Sequence, residues 1–324
     1  MVTIQLKTSD WKERARRHFE QVRPWTEAFL SRRKIGASHP IHDFLFVYYQ
    51  YSPAKLEQWH PGVGVELEVC DRSAMDGDMW DERFYTACEM GVFCDVRKMN
   101  EATIEQLRWI ARLLQATAER KGNYSCLGMH EWAMVYRGDE IRHAKTIGLR
   151  LPQSEVDAIV ETRPITCTHY DAFRFFADDA RPLNKHLLTL DSRMEMEQPA
   201  CIHANMDLYK WAYKAMPWIG SELLRECFEL ALAARALDMR ASPYDLTRWP
   251  EYPSILMETS QGRAEYEVLQ REIAERAAPL RERLCHQLRA VLASVSIDCS
   301  LEHAPLERRA CLVETEKDLK PHRG

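Results

Sequence analysis

Ile202-His-Ala-Asn-Met-Asp-Leu-Tyr-Lys-Trp-Ala-Tyr-Lys-Ala-Met216 is the stretch whose reading decides the fold class. Neither Gly nor Pro interrupts it, and Ile202, Met206, Leu208, Tyr209, Trp211 and Tyr213 make most of its surface apolar. That predicts a helix able to lie inside the protein. His203, Asp207, Lys210 and Lys214 follow one another at spacings of four, three and four, so they form a single polar stripe. A buried stripe needs partners, because polar groups lose hydration inside a protein. It is either an amphipathic face stitched by i,i+3 and i,i+4 pairs, or the wall of a site. In the second case Asp207 is a base or electrostatic stabiliser and Lys210 holds an anion.

Helical spacing recurs in both directions. Downstream, the pattern predicts helices over Glu222–Leu237 and from Tyr266 to Val291, with Pro279 kinking or dividing the latter. Upstream it predicts helices over Tyr170–Ala177, from Ile104 to Ala118, and over Trp11–Lys34 with Ser9 as N-cap and Gly36 as stop. Ser52-Pro53 reads as N-cap plus first turn of another helix. Met129–Arg137 is a short apolar segment, and Val156–Val160 is ambiguous between strand and helix. Trp59-His-Pro-Gly-Val-Gly64 has the form of a DNA-binding hairpin, but Val65 to Val69 then alternates like a short strand. The expected architecture is mainly α: a compact multi-helix domain with a few short strands or loops over residues 1–295, and a polar C-terminal tail over 296–324.

Composition narrows the function classes. The chain has 324 residues, 46% hydrophobic and 29% charged, with a net charge of -5. A protein living on nonspecific phosphate contacts is usually basic. Nucleic acid could meet this one only at a local patch, such as the nine Lys/Arg against four Asp/Glu between Lys7 and Lys34. Residues 61–90 hold eight acids and two arginines and should not face a nucleic-acid backbone. No uninterrupted apolar run reaches the ~18 residues that span a bilayer, so no membrane partner is expected. The first residues lack a secretory apolar region, and the expected location is cytoplasmic. Ten cysteines without a C-x-x-C read as thiols.

P-loop, G-x-G-x-x-G, G-x-S-x-G and H-E-x-x-H motifs are missing. What stands out instead is polar residues inside apolar segments. Cys167-Thr-His-Tyr-Asp171 and Cys201-Ile-His203 share a Cys-x-His unit, so Cys167, His169, Cys201 and His203 are candidate zinc ligands. His130-Glu-Trp132 precedes Glu140-Ile-Arg-His143, a Glu-x-x-His of the kind helical di-iron sites use. The pairs His130/Glu131, His169/Asp171 and His203/Asp207 each lose hydration. Sharing one wet or ligand-filled cavity relieves all three, so they are expected to converge.

Several longer strings point to a family. Leu127-Gly-Met-His-Glu-Trp-Ala-Met-Val-Tyr-Arg137, Cys167-Thr-His-Tyr-Asp-Ala-Phe-Arg-Phe-Phe176, His203-Ala-Asn-Met-Asp-Leu-Tyr-Lys-Trp211, Leu237-Asp-Met-Arg-Ala-Ser-Pro-Tyr-Asp245 and Gly262-Arg-Ala-Glu-Tyr266 together resemble a bacterial family commonly labelled 3-methyladenine DNA glycosylase. The resemblance spans roughly residues 38–292 and implies DNA as partner and excision of an alkylated, cationic purine flipped from the stack. Trp132, Tyr136, Tyr170 and Trp211 would then hold the base. Asp207, Asp171 or Glu131 would stabilise the oxocarbenium-like sugar, with His169 and His203 beside them. Arg174, Lys210 and Arg240 would meet phosphates.

Two other readings stand beside it. A metal-dependent helical oxidase or oxygenase of the di-iron type would draw ligands from Glu131, His143, His169, Glu197, His203 and Asp207. Zinc or iron is the cofactor these readings imply. A noncatalytic binding protein would leave the polar clusters scattered.

Overall fold

The computed structural model describes residues 4–69, 81–89, 91–138 and 147–302. The segment that opened the sequence reading becomes α9 (Ile202–Lys214), with nine of its residues buried. It lies against α10 (Ser221–Arg240) and α11 (Ser260–Glu302), and α11 also packs on α4 (Glu101–Glu119). α4 forms as its sequence predicts. Asn100 Oδ1 accepts the Thr103 N–H at 2.8 Å, and Ile104, Leu107, Ile110 and Leu114 face the core.

Around this centre run α1 (Thr8–Lys34), α2 (Phe44–Tyr48), α3 (Pro53–Glu57), α5 (Met129–Met134), α6 (Gln153–Thr162), α7 (Tyr170–Phe173) and α8 (Arg193–Met196). Four short strands, β1 (Ile4–Leu6), β2 (Val65–Glu68), β3 (Tyr85–Ala87) and β4 (Gly91–Cys94), make one sheet of order β1-β2-β4-β3. β1 runs parallel to β2 with Ile4 opposite Val65, and β4 is antiparallel to both β2 and β3. One continuous apolar cluster reaches from Val22 through Leu107, Trp132, Leu208 and Phe228 to Leu284. The mainly α architecture is therefore as the sequence predicts.

Boundaries differ where tertiary contacts outrank local signals. α1 starts at Thr8, and no Ser9 cap is used. Glu68, at the end of β2, takes the Thr8 N–H at 3.1 Å, and its carbonyl takes the Thr8 hydroxyl at 2.9 Å. Four of the nine basic residues of this stretch are paired, with Arg16 between Glu13 and Glu20, Arg17 near Glu13, Arg23 on Glu27 and Arg32 on Asp43. Val156–Val160 proves helical, and only these two residues of α6, four apart, are buried. The helix expected over Tyr170–Ala177 stops at Phe173.

Pro279 does not divide the last helix. α11 is one helix from Ser260 to Glu302, past the expected end at 295. A proline costs one backbone bond in a helix, and here apolar anchors hold both flanks: Tyr266, Ile273 and Ala277 before it, Leu280, Leu284 and Leu288 after it. Residues 303–324, which hold the rest of the expected tail, lie outside the described residues.

Candidate functional site

The polar stripe of α9 is buried and partnered. Asp207, 1% exposed, accepts the Tyr49 hydroxyl at 2.7 Å and the Lys210 ammonium at 3.0 Å, with His169 Nε2 at 3.3 Å. Burial works against its charge, but Lys210, His169 and Tyr49 outweigh that and hold the carboxyl far below the usual range. Lys210 also donates to Asp171 at 2.7 Å, and Arg193 meets Asp171 at 2.7 Å. Burial opposes the Lys210 charge as well, yet Asp207 and Asp171 raise its pKa.

His169 sits at the start of α7, where its Nδ1 accepts the Ala172 N–H at 3.2 Å. Burial disfavours the charged ring, whereas Glu197 and Asp207 favour it and prevail. A proton on Nδ1 would nonetheless set two N–H groups against each other, so the cap keeps the ring's proton on Nε2, toward the carboxylates. Glu197 lies 3.6 Å from His169 and 3.3 Å from Arg193, and burial pushes its carboxyl up to about 7.

A second polar group lies on the other side of His203. The His203 ring is 5.8 Å from that of His169 and 4.5 Å from that of His130 on α5. Its Nε2 is 3.8 Å from Asp238 of α10. Arg235, one turn before Asp238, donates to it at 2.7 Å and to Glu131 at 2.5 Å. Burial and the neighbouring Glu131 hold the Asp238 carboxyl well above the ordinary carboxylate range. The three pairs singled out in the sequence thus fall in two adjoining polar groups, linked by the neighbouring rings of His169, His203 and His130.

Two features of this network call for a ligand. His130 is 6% exposed, and among the described residues neither of its ring nitrogens makes a well-aligned hydrogen bond, the Ala172 backbone offering only a loose one. Five buried carboxyls, Glu131, Asp171, Glu197, Asp207 and Asp238, also meet four permanent cations among the described residues, Arg174, Arg193, Lys210 and Arg235. The excess negative charge requires protons or a bound cation. One ligand atom each from His130, His203 and Asp238 lie within 4.8 Å of one another. Burial lowers the pKa of both histidines, to about 4 for His130, which leaves the neutral lone pairs a metal requires. A first-row ion bonding at about 2.1 Å would draw these atoms somewhat closer.

Among the ligands expected from the sequence, His203 alone belongs to this group. The Cys2His2 zinc centre does not form. The Cys167 thiol donates to the carbonyl of His169 at 3.5 Å, and Cys201 is the N-cap residue of α9. Residues two apart at a helix start project to different sides, which separates Cys201 from the direction His203 takes. In the di-iron set, His169, Glu197 and Asp207 are engaged with one another, and Glu140 and His143 lie outside the described residues.

The expected stacking platform is also occupied. Trp132 is fully buried and donates Nε1–H to Ala241 O at 2.8 Å. Tyr136 donates to Glu161 at 2.8 Å, away from the network. Trp211 meets Trp109 edge-on, with Lys210 4.5 Å from its ring centre, and Arg193 lies 6.0 Å from the Tyr170 ring. Arg174 is half-exposed over Phe175, and Arg240 binds Pro253 O and Glu265.

Arg235 and Asp238 escaped the sequence reading. The available signal was an Arg and an Asp three apart in Leu230-Ala-Leu-Ala-Ala-Arg-Ala-Leu-Asp-Met239, otherwise wholly apolar. Comparison of the chain with protein-family models, with curated proteins and with solved structures returned no match.

Proposed function

We propose that this protein is a metal-dependent enzyme whose ion is held by His130, His203 and Asp238. The observation that carries the reading is the buried His130 imidazole, without a well-aligned hydrogen bond at either nitrogen and facing a second histidine and a carboxylate. Two neutral imidazoles and one carboxylate suit iron(II) or zinc and leave coordination positions open for water or substrate. Arg235 supports the set by orienting Asp238, as groups behind metal ligands commonly do. When bound, the ion would act as Lewis acid or activate oxygen or water. The chain's own residues would surround it with buried side chains, among them Glu131 and Arg235.

The test is metal binding by the purified full chain. Iron(II), added without oxygen, or zinc should bind at one equivalent. It should raise the melting temperature by about 4 °C at a hundredfold excess over Kd, given the entropy of unfolding about 300 residues. His130→Ala and Asp238→Asn should abolish that gain while keeping the helical circular dichroism of the wild type. An unaltered melting temperature with either metal overturns the proposal. So does release of alkylated bases from DNA by the metal-free protein, an outcome that would favour the base-excision reading.

A further inference from the structure

A cavity of about 400 Å3 opens between the loop preceding α2 and the segment that follows α10. Phe44, Val47, Ile147, Met239 and Trp249 give it apolar walls. Its volume falls within the range of small-molecule sites. Two cationic side chains line it, and they differ in state. Arg235, 3% exposed, is spoken for by Glu131 and Asp238, so it links the cavity to the carboxylate of the proposed metal centre. Arg248, exposed beside the Trp249 ring at 5.4 Å, has no ion pair among the described residues. The carboxylate that also lines the cavity, Asp43, is neutralised by Arg32 at 2.9 Å. Among the described lining residues the uncompensated charge is therefore positive and sits on Arg248.

We infer that this cavity is the substrate site, and that it takes a small organic anion with a flat apolar body. The anionic end pairs with Arg248, and the apolar end lies among Phe44, Val47 and Met239, pointing toward Arg235. Arg235 fits a partition between cavity and ion. Its guanidinium lies 3.9 Å from the Phe44 ring centre, and its Nε has no hydrogen-bond partner among the described residues. The assignment of substrate, as distinct from ligand, rests on the metal-enzyme reading.

The probes are 3-phenylpropionate and its neutral amide, titrated into the full chain and followed by calorimetry. The carboxylate should bind at one site, and the amide about tenfold more weakly, as expected for loss of a charge-assisted contact. Arg248→Gln should erase that preference, and Val47→Trp, which fills the cavity from an exposed wall position, should block both probes. Neither variant touches the metal ligands, so both should bind metal as the wild type does. Metal binding without any 3-phenylpropionate binding, or with equal affinity in Arg248→Gln, overturns the inference and leaves the metal reading standing. Binding of the anion by a chain that takes no metal removes the metal reading, and with it the claim that this ligand is a substrate.

Discussion

Asp207 and Glu197 are both buried carboxyls beside His169, yet their surroundings push them in opposite directions. Asp207 is held ionised by Lys210, His169 and Tyr49, whereas burial raises Glu197 to about 7 from its ordinary 4.5. Asp207→Asn should therefore destabilise the fold by about 3–5 kcal/mol, the scale for breaking a buried charge pair and stranding its partner. Urea unfolding at pH 7 reads this directly, and a loss under 1 kcal/mol would deny Asp207 its anchoring role. Glu197 behaves otherwise. With its folded pKa above the unfolded one, the stability it contributes is present below pH 4.5 and lost as pH rises through 7. Glu197→Gln should gain up to about 3 kcal/mol relative to wild type between pH 5 and pH 8. A difference that stays constant over that range contradicts the burial argument. The polar stripe that contains Asp207 was legible from spacing alone. The fates of the two carboxyls were not, because they depend on burial and on Tyr49 and His169, which are remote in sequence from Asp207 and Glu197 respectively.

At the scale of elements, long apolar periodicity read correctly in α4, α9 and α10, since burial of one face dominates there. It failed where a boundary is fixed by a distant segment, as Glu68 fixes the start of α1. The loop that feeds β2 shows such long-range fastening. Ser221 N–H donates to His60 O at 3.0 Å and Val63 N–H to Trp218 O at 2.9 Å, tying it to the start of α10. Gly62 lies between these bonds with φ of 81°, and a Cβ there would come 2.8 Å from Gly220 N. Gly62→Ala should cost about 1–3 kcal/mol through clash and backbone strain. An unfolding midpoint equal to that of wild type would mean the loop can move away from α10.

For the molecule as a whole, four histidines away from the proposed ligands make it sensitive to acid. Burial lowers the pKa of His18, His39, His42 and His60, to about 4 for His39 and His60. Each contributes stability that is full above pH 6.5 and lost as pH falls through the folded value. Glu197, Asp238 and His169, whose folded pKa values lie above their ordinary ones, act in the opposite sense across part of that range. The stability gap between wild type and His60→Gln should shift against wild type by about 2 kcal/mol from pH 7 to pH 4.5, and a gap that stays constant in denaturant titrations would contradict this. The same distinction between local and global governs what the sequence reveals. Helical content follows from periodicity, so the mainly α class was readable. That His130 meets Asp238, 108 positions away, is a property of packing that no local spacing encodes.

α11 grips α9 twice. Gln270 donates to Ala200 O at 2.8 Å, and Arg281 donates to Asn205 Oδ1, bracketing the turn that carries His203. The grips are eleven residues apart, very nearly three full turns at about 100° per residue, so both point the same way. α11 therefore works as a ruler with two fixed marks. Residues between the marks can be exchanged, but adding or deleting one would swing a grip by about 100° and slide it by about 1.5 Å. Length between Gln270 and Arg281 should be held more strictly in this chain than the identity of any exposed residue within it.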